Sequence, residues 1–111
     1  MNKKITFIDL FSGCGGLTEG FLKTGKYESL AHVEWDPQIA NTLKNRLKTK
    51  WKFNRKQLEE VITFDLQKSN ELLYGNWSNE TLGRFGTYNS ENIIKNGLNG
   101  TVTKKVDLII G

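Results

Sequence analysis

The chain has 111 residues, a length that predicts one small domain, and its 37% apolar and 11% aromatic content can support a packed core. The net charge of +4 permits nucleic-acid binding without requiring it. One cysteine excludes an internal disulfide, and no apolar run approaches the ~18 residues of a membrane span. We therefore expect a soluble, cytoplasmic protein with no membrane partner and no metal site.

The stretch from Ile5 to Leu22 predicts a strand, a glycine turn and a helix in direct succession. Ile5–Leu10 is apolar with β-branched and aromatic residues, which is typical of a buried strand. The turn Phe11–Gly16 contains three glycines, and a short helix is predicted from Leu17 onward. Glycine lets backbone N–H groups approach a ligand closely, and a helix N-terminus favours negative charge. Such a unit is typical of nucleotide-binding α/β folds.

Three further strands are predicted, with helical segments between them. Asp36 and Pro37 begin a helix with an apolar stripe, and a helical turn follows at Gln57–Glu60. The segment Gln67–Lys104 carries only brief helical signals, and residues 66–105 are interpreted as an insertion or a functional loop. The alternation of elements predicts a parallel sheet that binds its ligand at the carboxyl ends of the strands. The predicted strands are Ser29–Val33, Val61–Phe64 and Val106–Ile110, the last of them buried.

Distinctive residues follow two of these strands. Glu34 lies 21 residues after Gly13, where an acid can accept both ribose hydroxyls. Trp35 can lie flat on an adenine ring, and Asp65 can accept a hydrogen bond from the exocyclic amine of adenine. Each also has an ordinary structural interpretation, as a capping acid, an edge aromatic and a turn acid. Together they predict an adenosine pocket.

The glycine turn limits which adenosine ligand is expected. Thr18 stands where a dinucleotide-binding loop has its third glycine, and no Gly-Lys-Ser/Thr follows as in a phosphate-binding loop. The turn therefore favours S-adenosylmethionine, whose carboxylate can meet the amides at the helix start. Loop carbonyls or Asp9 can face its ammonium group. Cys14 is interpreted as a small filler within this turn, and His32 as a core histidine.

The segment Lys44–Lys56 is strongly basic and includes Trp51 and Phe53. One interpretation is a solvated helix end followed by a loop, because cations are common near helix C-termini. The alternative is a phosphate-contacting patch with stacking aromatics.

Four segments, in this order, resemble the N-terminal part of C5-type DNA cytosine methyltransferases. They are DLFSGCGGLTEGF (Asp9–Phe21), VEWDP (Val33–Pro37), FDLQ (Phe64–Gln67) and VDLIIG (Val106–Gly111), and the first is the most specific. The family prefers Ala where this chain has Ser12. The resemblance implies a Rossmann-like S-adenosylmethionine-dependent methyltransferase fold, truncated after the fourth parallel strand. Residues 1–111 would be its N-terminal cofactor-binding part.

The resemblance also implies roles for individual residues. Phe11 and the loop residues Gly13, Cys14, Gly15, Gly16 and Leu17 would hold the methionine moiety. Glu34 would hold the ribose, Trp35 the adenine face, and Asp65 with Leu66 the adenine edge.

In the implied reaction, a target cytosine flips out of double-stranded DNA and a cysteine thiolate attacks its C6 before methyl transfer to C5. That cysteine belongs to a Pro-Cys-Gln motif after the strand that ends here at Gly111, so no catalytic residue is assigned within 1–111. The resemblance implies an enzyme of a restriction-modification system. We expect the chain to be a fragment or half of a split enzyme that is inactive alone and binds the cofactor weakly. Open alternatives are another S-adenosylmethionine-dependent methyltransferase, a non-catalytic cofactor-binding module, and an oxidoreductase of the NAD type, which Thr18 disfavours.

Overall fold

A parallel sheet organises the chain, as the sequence predicts. The computed structural model describes residues 3–11, 13 and 15–111. Within them, four strands lie in the order β3-β2-β1-β4, and every neighbouring pair is parallel. The predicted α/β, Rossmann-like class is thereby confirmed. The strands are β1 (Ile5–Asp9), β2 (Tyr27–Glu34), β3 (Val61–Thr63) and β4 (Leu108–Ile110).

Helices connect the strands and cover both faces of the sheet. The first three are α1 (Gly16–Leu22), α2 (Pro37–Thr49) and α3 (Arg55–Glu59). Between β3 and β4 follow α4 (Ser69–Tyr74), α5 (Asn79–Phe85), a 3-10 turn (Gly86–Tyr88) and α6 (Glu91–Thr101). Asp36 caps α2 as predicted, because its carboxylate accepts hydrogen bonds from the backbone N–H groups of Gln38 and Ile39 at 2.9 and 3.3 Å. No described helix has the length and apolar character needed to cross a bilayer.

The core has two parts, one on each face of the sheet. Successive side chains of a strand point to opposite faces, and in β3 Val61 packs with α2 while its neighbour Ile62 packs on the other side. On the α2 side the fully buried residues include Leu43 and Leu47. Trp51 and Phe53 pack partly buried against that cluster, so both of these aromatics contribute to the core.

The segment between β3 and β4 is more regular than the sequence suggests. It forms three helices, of which α5 is not predicted, and they supply the second core cluster. The ring of Phe64 contacts Trp77 and Phe85, with centroid distances of 4.7 and 5.4 Å. Ser78 caps α5 by accepting a hydrogen bond from the Thr81 N–H at 3.2 Å. Whether residues 66–105 are an insertion stays a prediction.

Strand β4 is an exposed edge, and the prediction of a buried fourth strand is wrong. Among the described strands it pairs with β1 alone, with Leu108 opposite Phe7. Thr6 and Asp107 fix this pairing through side-chain bonds to each other's backbone N–H, both at 3.0 Å. Ile109 is 62% exposed, as expected of a strand at the edge of a sheet.

Candidate cofactor site

A pocket of about 370 Å³ opens at the carboxyl ends of β1, β2 and β3. This is the edge where parallel sheets bind ligands. The pocket brings together five of the residues predicted to contact the cofactor: Phe11, Glu34, Trp35, Asp65 and Leu66. It is completed by Leu10, Val33, Phe64, Gln67 and Arg84.

Glu34 is the buried acid of this pocket. One carboxylate oxygen accepts a hydrogen bond from the Gly13 N–H at 3.2 Å, and the other accepts one from the Asp36 N–H at 2.8 Å. The side chain therefore links the glycine turn to the start of α2. Because each carboxylate oxygen has two lone pairs, Glu34 retains acceptor capacity for a ligand hydroxyl.

The glycine turn has a backbone that requires glycine at two points. Gly13 has φ of 51° and Gly15 has φ of 94°, both in the left-handed region. A Cβ added at Gly15 would lie 2.6 Å from the Cδ1 of Leu43, so the turn passes directly over α2. Ser12 and Cys14 lie outside the described residues, and the predicted role of Cys14 stays a prediction.

A buried polar chain runs beneath the turn. The Thr18 hydroxyl donates to Asp9 at 2.6 Å and lies 3.4 Å from His32 Nδ1, and His32 Nε2 lies 3.0 Å from the Ser29 hydroxyl. Asp9 also accepts the Phe11 N–H at 3.1 Å and is fully buried, so its carboxylate has a role in the fold. Its predicted contact with the ammonium group of a cofactor stays a prediction. Burial lowers the pKa of His32 from 6.5 to about 4, which confirms a core histidine.

An ion pair fastens α1 to α2 on the other side of the turn. Glu19 accepts two hydrogen bonds from the Arg46 guanidinium at 2.7 and 2.8 Å, and the Lys50 ammonium lies 3.5 Å away. The Arg46 hydrogen bonds lower the pKa of Glu19 from 4.5 to about 2. Two cations of the basic segment Lys44–Lys56 thus have a structural role.

The remaining walls are an acid, an arginine and two exposed aromatics. One oxygen of Asp65 accepts the Gln67 N–H at 2.9 Å, and the other lies 3.9 Å from Arg84 Nη1, beyond hydrogen-bond distance. Trp35 and Phe11 are 61% and 67% exposed at the rim. Large aromatics so exposed are suited to cover the faces of a flat ligand.

Some predicted and observed site residues do not coincide. Gly15, Gly16 and Leu17 do not line this pocket, and Gly13 reaches it only through its bond to Glu34, so their contact with a methionine moiety stays a prediction. Sequence reasoning missed Arg84 because it missed α5. The N-cap residue Ser78, followed by Glu80 in the first turn, is the sequence signal that could have revealed that helix.

The four-stranded parallel sheet has the architecture of a Rossmann-like methyltransferase fold. The chain belongs to the C-5 cytosine-specific DNA methylase family, whose model matches residues 5–76. The resemblance inferred from the sequence is confirmed.

Individual relatives agree with this assignment. The chain is 35% identical over 69 residues to the type II methyltransferase M.HgiGI of Herpetosiphon aurantiacus, covering 61% of this chain and 54% of the relative. It is 54% identical over 35 residues to DNA (cytosine-5)-methyltransferase 1 of Mus musculus, covering 31% of this chain and 2% of the relative. The chain therefore spans only part of the curated relatives that it matches. No solved structure is significantly similar to the chain.

Proposed function

We propose that this chain is the cofactor-binding part of a DNA (cytosine-5-)-methyltransferase of the restriction-modification type, acting on double-stranded DNA in the cytoplasm. The observation that carries the proposal is the single pocket that collects Phe11, Glu34, Trp35, Asp65 and Leu66 at three strand ends. Membership of the methylase family supports S-adenosylmethionine as its ligand. The bound cofactor would supply an electrophilic methyl group on its sulfonium sulfur.

The pocket walls fit the adenosine half of that cofactor. Val33, Phe64 and Leu66 offer an apolar surface for the adenine ring, and Trp35 can close over one face. The Asp65 oxygen that faces Arg84 accepts no hydrogen bond from the described residues, which leaves it able to accept one from the adenine amine. Glu34, held by two backbone N–H groups, can receive the ribose hydroxyls.

The catalytic thiolate would come from polypeptide outside these residues. The sequence contains one cysteine, Cys14, and its position within the glycine turn suits a cofactor-facing residue better than a nucleophile beside the base. We propose that a C-terminal half or a partner chain supplies the catalytic cysteine, and that residues 66–105 are an insertion within the cofactor part.

Isothermal calorimetry with S-adenosylhomocysteine and, separately, NAD tests the cofactor assignment. We expect weak binding of S-adenosylhomocysteine and none of NAD. Trp35→Leu and Asp65→Asn should each weaken binding about tenfold, since one lost contact of 1.4 kcal/mol corresponds to that factor. Glu80→Gln removes an 83% exposed acid outside the pocket and serves as the control. Preferential binding of NAD, or equal effects of all three substitutions, would refute the assignment.

Transfer of a radiolabelled methyl group to DNA tests the need for further polypeptide. The chain alone should produce no 5-methylcytosine, whether or not it binds the cofactor. Formation of 5-methylcytosine by the purified chain would refute this part of the proposal and leave the cofactor site untouched.

A further inference from the structure

A second depression lies on the α2 side of the molecule, away from the cofactor pocket. Two adjoining hollows of about 540 and 430 Å³ share the lining residues Lys44, Thr87 and Tyr88 and form one groove between α2, α3 and the 3-10 turn. We call it the α2 groove. It shares no lining residue with the cofactor pocket.

The cations of α2 divide into two sets on two sides of the helix. Arg46 and Lys50, one turn apart, both contact Glu19. Lys44 and Lys48 are also one turn apart, but they line the α2 groove, and neither has an acidic partner within 4.0 Å among the described residues. Like charges at this spacing on a helix repel each other and destabilise it.

Lys44 sits deeper than an ordinary surface lysine. It is half-buried and lines both hollows. Burial lowers the pKa of its ammonium below the usual 10.5, because the charged form loses hydration without gaining a carboxylate. A bound anion would restore that lost stabilisation. Glu59, the acidic residue among those lining the groove, lies 4.0 Å from the exposed Arg55.

The groove also presents an aromatic ring. Tyr88 is 45% exposed and, like Lys44, lines both hollows, and Phe53 contributes to one hollow. Cations along a groove combined with an exposed ring are the features by which proteins bind unpaired nucleic acid, the cations contacting phosphates and the ring stacking on a base. A simple inorganic anion would bind through the lysines alone and would leave the exposed ring without a role.

From these observations we infer that the α2 groove binds an unpaired nucleic-acid strand, with Lys44 and Lys48 contacting its phosphates and Tyr88 stacking on a base. This goes beyond the proposed function, because the site is separate from the cofactor pocket. It gives the chain its own contact with nucleic acid, independent of any residue that would recognise the target cytosine.

Fluorescence anisotropy of a labelled oligothymidylate, with the same sequence as a duplex in a parallel arm, tests the inference. The double variant Lys44→Gln with Lys48→Gln should bind the single strand about five- to tenfold more weakly. The slope of log K against log salt concentration should become shallower by about 1.4, because two phosphate contacts are lost. Tyr88→Leu should weaken binding about fivefold or more. The matched control, Lys23→Gln with Lys26→Gln, removes two exposed lysines that have no ion pair within the described residues.

The outcomes separate this inference from the cofactor assignment. Equal losses in the groove and control variants would show attraction by net charge only, and would overturn it. Absence of binding by the wild-type chain, or duplex binding as tight as single-strand binding with no effect of Tyr88→Leu, would overturn it too. Calorimetry with S-adenosylhomocysteine should give the same affinity for wild type and the groove variant. Urea unfolding of each variant verifies that it folds.

Discussion

The glycine turn gives the sharpest test of the structure, through Gly15→Ala. A non-glycine residue in the left-handed region costs about 1–2 kcal/mol, and Gly15 has φ of 94°. The new Cβ would also lie 2.6 Å from Cδ1 of Leu43, which is fully buried. Forcing such a side chain aside costs about 1–3 kcal/mol. Together these effects predict a loss of about 2–5 kcal/mol in the free energy of unfolding.

Two neighbouring glycines serve as controls that separate the strain from the clash. Gly13 has φ of 51°, but a Cβ there meets nothing within 4 Å among the described residues, so Gly13→Ala should cost only about 1 kcal/mol. Gly16 begins α1 with open space around it, and Gly16→Ala should be neutral or stabilising by up to about 1 kcal/mol. Urea unfolding followed by circular dichroism measures all three variants under the same conditions.

The order of the three variants is what matters. Gly15→Ala should be the least stable, Gly13→Ala intermediate and Gly16→Ala the most stable. Adding Leu43→Val to Gly15→Ala should recover part of the loss, because it removes the atom that the new Cβ would meet. If Gly15→Ala unfolds at the same urea concentration as Gly16→Ala, the described path of the turn over α2 is incorrect.

Three ionisable groups give further predictions. Arg46→Met should lower the free energy of unfolding by about 2 kcal/mol at neutral pH. This deficit relative to wild type should shrink as pH falls from 4.5 towards 2, because Glu19 becomes protonated in both proteins. His32 stays neutral when folded, so the unfolded state binds a proton first, and stability should fall as pH drops from 6.5 to about 4. Its imidazole proton resonance, from the sole histidine, should titrate near 4 rather than 6.5. Burial raises the pKa of Glu60 to about 7, so stability should decline as pH rises from 4.5 through that value, and Glu60→Gln should be the more stable form above it.

Specific results would contradict these three predictions. They are a pH-independent deficit in the Arg46 variant, an imidazole titration near 6.5, and a Glu60→Gln variant no more stable than wild type above pH 7. Urea unfolding at a series of pH values, with Glu59→Gln as an exposed control for Glu60, measures the first and the third.

The sequence predicts the sheet and the pocket at its carboxyl edge because both depend on local signals that agree. Apolar strands separated by helices predict a parallel sheet, and the acids Glu34 and Asp65 follow two of those strands directly. Parallel strands end at one edge, so residues that follow them must meet there. The pocket that contains both acids confirms this reasoning.

Other features depend on contacts between distant parts of the chain, which no local pattern encodes. Arg84 reaches the pocket because α5 packs against Phe64 through its neighbour Phe85. The local sequence around either phenylalanine does not indicate that the two rings meet. The exposure of β4 follows from its place at the edge of the sheet, although VDLII has the composition of a buried strand. The basic segment on α2 likewise divides into paired and unpaired cations only once Glu19 is placed beside Arg46.

The buried hydroxyl of Thr18 has a consequence for how this loop can change over evolution. A single substitution to glycine would restore the third glycine of a dinucleotide-binding turn. Here, however, it would remove the buried hydroxyl that lies between Asp9 and His32, at a cost of about 1–3 kcal/mol for each buried group affected. The residue at position 18 of the turn is thus tied to the stability of the whole domain. A glycine at position 18 would therefore need compensating changes at Asp9 and His32.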